Sequence, residues 1–157
     1  ALIEVLSLSM PVTVLICAIW LVTWALSMGD SGSWFCICVT SSLRNRSLVA
    51  CEAEAALLES GIVTNRNSVP SDPNGAWYTS GVRVGTPALT SRGFTASDMD
   101  AVADLIAGVL RNTTPTTTSA GAPSKAKYDL SDDVRQSTLD GASALVGAHP
   151  LYPGLEL

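Results

Sequence analysis

The stretch TSGVRVGTPALTSRGF, from Thr79 to Phe94, decides how the rest of the chain is interpreted. In an extended segment Val82 and Val84 point to one face and Arg83 points to the other, because successive side chains alternate along a strand. One glycine precedes this Val-Arg-Val triplet and another follows it, which keeps the backbone around the arginine free of side chains. The planar guanidinium then suits bidentate capture of a carboxylate or phosphate. The alternative is an ordinary solvent-facing arginine on an edge strand.

An amphipathic helix is predicted on each side of this stretch. The segment from Ala50 to Glu59 has acidic residues in its first turn and apolar residues at helical spacing, and Gly61 follows it as a stop. The sequence TASD at 95–98 is a capping box, and apolar residues follow it at helical intervals up to Leu110. Both patterns predict that one face of each helix is buried.

A strand and a loop are predicted between the first helix and the arginine stretch. Ile62 and Val63 are expected to begin a short strand. The segment from Asn65 to Gly75, NRNSVPSDPNG, is predicted to be a loop whose Pro-Asn-Gly end has the chemistry of a turn. Loops of this length commonly carry function.

The C-terminal part is predicted to hold a linker, a helix and a tail. The segment from Asn112 to Ser124, NTTPTTTSAGAPS, has the composition of a flexible linker. Ser131 is expected to cap a last helix that ends near Gly147. The tail HPLYPGLEL is predicted either to pack Leu151 and Tyr152 onto the fold or to fray.

The front of the chain is far more apolar than the rest. The segment from Val5 to Met28 holds 24 residues without a charge, which is long enough to cross a bilayer as a helix. Pro11 and several hydroxyl side chains interrupt it, and no lysine or arginine lies close to either end. The alternatives are therefore a membrane span or a buried apolar segment.

Charge and cysteine usage exclude several classes of protein. The net charge of -5 argues against a protein that binds the phosphate backbone of nucleic acids. Cys17, Cys36, Cys38 and Cys51 form no C-x-x-C pair, so no metal site is predicted and a reduced, cytoplasmic setting is the default. His149 is the one histidine of the chain and lies near its end, so no histidine-dependent catalytic site is predicted.

The stretch from Thr79 to Phe94 resembles the signature near the C-terminus of serine hydroxymethyltransferases, T-S-G-[IVL]-R-[IVL]-G-T-P-A-[LVI]-[TA]-[TSR]-R-G-[FM]. A motif of this length is far more specific than a short pattern. The segments LRNRSL and GIVTNRNSVPSDP resemble the preceding helix, strand and loop of that family, and SKAKYDL and HPLYPGL resemble the tails of its actinobacterial members. The resemblance covers about residues 43 to 157.

The resemblance implies an α+β fold, the small C-terminal domain of a type I pyridoxal-phosphate-dependent transferase, with a short sheet flanked by helices. The expected division of the chain has four parts: an apolar N-terminal segment at 1–42, the hydroxymethyltransferase-like domain at 43–111, a flexible linker at 112–124, and a C-terminal helix and tail at 125–157. The apolar segment is then a divergent part of the family fold, a fused anchor, or the translation of a frame-shifted remnant.

The family reaction that the resemblance implies is the reversible transfer of the serine hydroxymethyl carbon to tetrahydrofolate, giving glycine and methylenetetrahydrofolate. Arg83 matches the arginine that binds the amino-acid carboxylate. Asn67 matches a folate-contacting asparagine, and Gly75, Ala76 and Trp77 match the loop that lines the folate site, where Trp77 replaces what is often Phe. No catalytic residue is assigned.

The cofactor implied by the resemblance is pyridoxal phosphate, which the family attaches to a lysine in a T-T-H-K motif. That motif does not occur here, and the lysines of the chain are Lys125 and Lys127. The chain on its own is therefore expected to be inactive. The resemblance also implies a homodimer or a tetramer, as in intact family members. The alternative function is a non-enzymatic interaction module that the segment from Val5 to Met28 anchors in a membrane.

Overall fold

The computed structural model describes residues 48–68 and 71–152. Its helices are α1 (Ala50–Glu59), α2 (Gly75–Tyr78), α3 (Pro87–Ser91), α4 (Ala96–Asn112) and α5 (Asp132–Ala148), and its strands are β1 (Asn65–Asn67), β2 (Gly81–Arg83), β3 (Thr114–Thr117) and β4 (Pro123–Asp129). Strand β1 pairs with β2 and strand β3 pairs with β4, both in antiparallel fashion. Helices with small antiparallel sheets confirm the predicted α+β class.

The hydrophobic core lies between α1, α4 and β2. Ala53 and Leu57 of α1 and Val109 of α4 are completely buried, and Ile106 joins them. Val82 of β2, which is 1% exposed, packs into the same cluster. These apolar side chains occur at helical spacing on α1 and α4, so their burial removes one continuous face of each helix from water.

Helix α1 has the predicted bounds, and a Schellman motif ends it. The backbone N–H of Gly61 donates to Leu58 O at 3.1 Å and that of Ile62 donates to Leu57 O at 2.9 Å. Gly61 adopts a φ of 82°, which an L side chain rarely takes. The predicted stop at Gly61 is therefore confirmed.

The predicted strand begins later than expected. Ile62 and Val63 lie in the segment that leaves the Schellman motif, and β1 starts at Asn65. The backbone N–H of Ile62 is bonded to the end of α1, so it is not available to pair with a neighbouring strand. The first three residues of the predicted loop from Asn65 to Gly75 therefore form β1.

The capping box of α4 is confirmed. Asp98 Oδ2 accepts hydrogen bonds from the Thr95 backbone N–H at 2.7 Å and from the Thr95 hydroxyl at 2.6 Å. The helix continues two residues beyond Leu110, to Asn112. A second, smaller cluster forms where Met99 and Ala103 of α4 pack against Leu89 and Phe94.

The structure differs from the linker prediction for residues 112–124. The segment forms the end of α4, strand β3 and the turn of a β-hairpin, and Thr118 N donates to Ala122 O at 2.8 Å across that turn. Threonine favours strands, and the following segment supplies a pairing partner in β4. The Ser124 side chain is buried and accepts hydrogen bonds from the backbone of Ala126 and Lys127. Composition alone does not reveal this pairing.

Helix α5 begins after the predicted cap and ends one residue beyond the predicted end. Ser131 Oγ accepts a hydrogen bond from the Val134 N–H at 3.4 Å, and the helix runs to Ala148. Of the tail, Leu151 and Tyr152 are 54% and 69% exposed, so of the two alternatives the one in which these side chains pack onto the fold is wrong. The remaining tail residues, 153–157, lie outside the described residues.

The apolar front of the chain lies outside the described residues. This applies to the predicted N-terminal segment at 1–42, to the candidate span from Val5 to Met28, and to Cys17, Cys36 and Cys38. Within 48–68 and 71–152, no helix has the length and apolar character that crossing a membrane requires.

Candidate functional site

The pairing of β1 with β2 places the predicted site residues. Asn65 lies opposite Arg83, and Asn67 lies opposite Gly81. Directly opposite residues of an antiparallel pair project to the same side, and so do residues two apart on one strand. Asn65, Asn67 and Arg83 therefore share one face of this small sheet.

The other face of the sheet packs on helix α1. Arg66 lies opposite Val82, whose side chain is buried in the core. The alternation predicted for the Val-Arg-Val triplet is thus present: Val82 faces the core and Arg83, which is half-buried, belongs to the opposite face. An arginine next to two asparagine side chains forms a cationic, hydrogen-bonding surface that suits a carboxylate.

A hydrogen-bonded clamp holds the loop that leads from β1 to β2. Asp72 Oδ1 accepts from the Asn74 N–H at 3.0 Å and from the Ser80 hydroxyl at 2.6 Å, while Asp72 Oδ2 accepts from the Ser80 N–H at 2.7 Å. The Asn74 side-chain amide also donates to Ser80 Oγ at 3.0 Å. These hydrogen bonds hold together the two ends of the turn over residues 75–79.

Only part of this clamp can be predicted from the sequence. The Asp72 contact with Asn74 is the side-chain to backbone bond of an Asx turn, which the sequence Asp-Pro-Asn-Gly signals. Its bonds to Ser80 join residues eight apart, and no local pattern predicts them.

Gly75, Ala76 and Trp77 form an exposed turn above this clamp. They belong to the four-residue helix α2, and Gly75 adopts a φ of 71°. The Trp77 side chain is 70% exposed, and the guanidinium carbon of Arg66 lies 5.4 Å from the centroid of its ring. The structure thus brings Asn67 and Arg83 to one face of the sheet. Trp77 contacts Arg66, which belongs to the other face of the sheet.

Two further cations, Arg66 and Lys125, lie beside the loop, and no sequence pattern predicts their positions. Arg66 pairs with Glu54 of α1, with 3.4 Å between Arg66 Nη1 and Glu54 Oε2. Lys125 of β4 donates to Asn74 Oδ1 at 3.2 Å, and its ammonium lies 5.6 Å from the centroid of the Tyr78 ring. Lys125 reaches the loop because the segment predicted as a linker folds into a hairpin.

An open cleft lies on another part of the molecule, between the end of α1, the hairpin and the start of α5. The cleft has a volume of about 400 Å³, and Glu59, Tyr128 and Arg135 are among its lining residues. Burial and the neighbouring Glu59 carboxylate raise the pKa of Tyr128 to about 12. The Tyr128 phenol therefore stays protonated throughout the physiological range.

The described residues offer neither a metal site nor an attachment point for pyridoxal phosphate. Among residues 48–68 and 71–152, no cluster of three histidine, cysteine or acidic side chains could hold a metal ion. Lys125 and Lys127 lie exposed on β4, and the Lys125 ammonium is hydrogen-bonded to Asn74. Neither lysine lies in an enclosed pocket that would desolvate its amine for Schiff-base chemistry, so these residues do not fit that cofactor.

The described part of the chain is thus an α+β domain that carries an arginine and two asparagines on one sheet face and an exposed aromatic turn in the loop between the two strands. The family model described as Serine hydroxymethyltransferase matches residues 27–106, which include this whole site. The chain belongs to the serine hydroxymethyltransferase family, whose members depend on pyridoxal phosphate. The match begins in the apolar segment, before the start at residue 43 that the resemblance gave.

Three curated relatives of the chain carry the same family name. It is 62% identical over 106 residues to the serine hydroxymethyltransferase of Cutibacterium acnes, covering 68% of this chain and 22% of that protein. It is also 62% identical over 106 residues to that of Mycolicibacterium smegmatis, covering 68% and 21%. The one from Chlamydia muridarum is 46% identical over 105 residues, covering 67% and 21%. The chain thus spans about a fifth of the length of these curated relatives.

Proposed function

We propose that this chain supplies the substrate-carboxylate and folate-lining parts of a serine hydroxymethyltransferase. The observation that carries the proposal is the shared sheet face of Arg83 and Asn67, in a region that the family model covers. Arg83 would bind the carboxylate of serine or glycine through paired, charge-assisted hydrogen bonds. The reaction served is the reversible conversion of serine and tetrahydrofolate into glycine and methylenetetrahydrofolate.

The folate-lining role falls to Asn67 and to the turn of Gly75, Ala76 and Trp77. Asn67 offers both a hydrogen-bond donor and an acceptor, as recognition of a pterin edge requires. The turn offers an exposed indole and a glycine backbone that a flat ligand can approach closely. The clamp supports this role because it holds the backbone at the two ends of the turn.

The chemistry of pyridoxal phosphate lies outside the contribution proposed for this chain. When bound to the intact enzyme, the cofactor withdraws electrons from the amino-acid substrate. The part played here is to bind and orient the substrate carboxylate and the folate. In the proposed assembly the protein acts in the cytoplasm within a homodimer or a tetramer.

A cofactor-binding and turnover assay on the 157-residue chain tests whether the cofactor chemistry lies outside this chain. Pyridoxal phosphate is added, its absorbance is recorded before and after borohydride reduction, and turnover of serine with tetrahydrofolate is measured in parallel. We expect neither a reduced lysine adduct nor turnover. An adduct accompanied by turnover would show that Lys125 or Lys127 performs the Schiff-base role and would refute the proposal.

A further inference from the structure

The Arg66 side chain connects helix α1 to the exposed turn. Its Nη1 donates to Cys51 Sγ at 3.1 Å and lies 3.4 Å from Glu54 Oε2. Its backbone N–H donates to Glu54 Oε1 at 3.2 Å. On the other side, its guanidinium carbon lies 5.4 Å from the centroid of the Trp77 ring. The guanidinium is therefore held between a well-packed helix and an exposed indole.

The turn that carries Trp77 is too short to fix the indole without outside contacts. Helix α2 has four residues, none of them buried, and helices of this length are not stable in isolation. Fixing a mobile side chain costs conformational entropy, which a specific contact must offset. Indole offers the best aromatic face for a cation–π contact, and arginine is the cation most often found there.

We propose that Arg66 is a positioning residue that holds the Trp77 ring as a stacking platform for a planar heteroaromatic ligand. The guanidinium occupies one side of the ring, and the 70% exposure of Trp77 leaves room for a ligand on the other. The anchor of the platform is α1, through Cys51 and Glu54. The identity of the ligand as the pterin of a folate rests on the proposed function, whereas the positioning of Trp77 does not.

The test uses the full chain labelled with 5-fluorotryptophan, so that each of its four tryptophans gives a fluorine resonance. The Trp77→Phe variant assigns the Trp77 signal. We expect Arg66→Met, which keeps an unbranched apolar stem but removes the charge, to shift the Trp77 resonance towards that of a solvated indole. The matched control is Arg111→Met, which changes an exposed arginine at the end of α4 and should leave the Trp77 resonance in place.

Two further variants separate positioning from general destabilisation. Glu54→Gln keeps Arg66 and removes the carboxylate that holds it, so a partial shift of the Trp77 resonance is expected. Arg66→Lys keeps the charge and loses the planar group, so its Trp77 resonance should lie between those of the wild type and of Arg66→Met. Far-ultraviolet circular dichroism identifies any variant that fails to fold, in which case the remaining variants give the result.

The second readout is the affinity for 5-formyltetrahydrofolate, followed by the same resonance. We expect Arg66→Met to weaken binding by about three- to tenfold. The proposal is overturned if folded Arg66→Met leaves the Trp77 resonance unchanged in the absence of ligand. If Arg66→Met shifts that resonance but the folate does not affect it in the wild-type chain, the positioning role stands and the folate assignment fails.

Discussion

Two carboxyl groups, Glu52 and Asp98, illustrate how local surroundings set opposite pKa shifts. Glu52 is 1% exposed on α1, and burial raises its pKa although Oε2 accepts a hydrogen bond from the Val49 N–H. Hydrogen bonds from the Thr95 hydroxyl and N–H lower the pKa of Asp98, and the neighbouring His149 lowers it further. The charged form is therefore disfavoured at Glu52 and favoured at Asp98.

Opposite pH dependences of stability follow from these shifts. A raised pKa in the folded state means that the free energy of unfolding falls as the pH rises above the ordinary glutamate value of about 4.3. Glu52→Gln keeps an acceptor for Val49 and removes this charge, so it should raise the free energy of unfolding near neutral pH. The gain should shrink as the pH falls and the wild-type carboxyl becomes protonated.

Asp98→Asn should behave in the opposite way. The lowered pKa means that ionised Asp98 stabilises the fold above the ordinary aspartate range, and that this contribution is lost as the pH falls through the lowered value. The variant should therefore be less stable near neutral pH and approach the wild type in acid. Urea unfolding at a series of pH values measures both variants. The same pH trend in both would contradict the assignments.

At the scale of elements, the ends of helices were the most predictable features. The stop after α1 and the capping boundary before α4 depend on residues three to five positions apart, so the sequence shows them directly. Strands β1 and β4 depend on partners elsewhere in the chain. The start of β1 was placed three residues too early, and the hairpin was interpreted as a linker.

Two glycines of the helical part, Gly61 and Gly108, should respond in opposite ways to replacement by alanine. Gly61 has a φ of 82°, and an added Cβ would lie 2.7 Å from Leu139 Cδ1, so Gly61→Ala should destabilise the fold by about 1–2 kcal/mol. Gly108 lies inside α4, where an added Cβ meets nothing within 4 Å. Gly108→Ala should stabilise the fold by up to about 1 kcal/mol. Thermal and urea unfolding measure both effects, and equal effects would contradict this account.

Replacement of the two lysines of β4 should have different effects on the stability of α2. Lys125 contacts Asn74 and Tyr78, whereas Lys127 lines the separate cleft. Lys125→Gln should loosen α2 and speed exchange of the Thr79 amide, which donates to Gly75 O at 3.1 Å, by about threefold. Lys127→Gln is the matched control and should leave this amide unchanged. Hydrogen exchange followed by nuclear magnetic resonance tests the pair, and equal protection in both variants would refute the contact.

For the molecule as a whole, the sequence predicted the fold class and the family. Of the arrangement around Arg83, it predicted only the part that lies within one strand. The alternation around Arg83 was readable because it lies within one short segment. The shared face of Asn67 and Arg83 was not, because it depends on the register between two strands. Arg66 and Lys125 were missed since each reaches the loop from an element whose position is set by long-range packing.

The most direct test of the central claim is the serine KM of a chimera. The matching region of the Cutibacterium acnes relative is replaced by that of this chain, so that the relative supplies the rest of the enzyme. We expect an active chimera in which Arg83→Lys raises the KM for serine by roughly ten- to a hundredfold, because a lysine cannot replace the bidentate fork. Its KM for tetrahydrofolate should change little. An active Arg83→Lys chimera with an unchanged KM for serine would contradict the assignment of Arg83 to the substrate carboxylate.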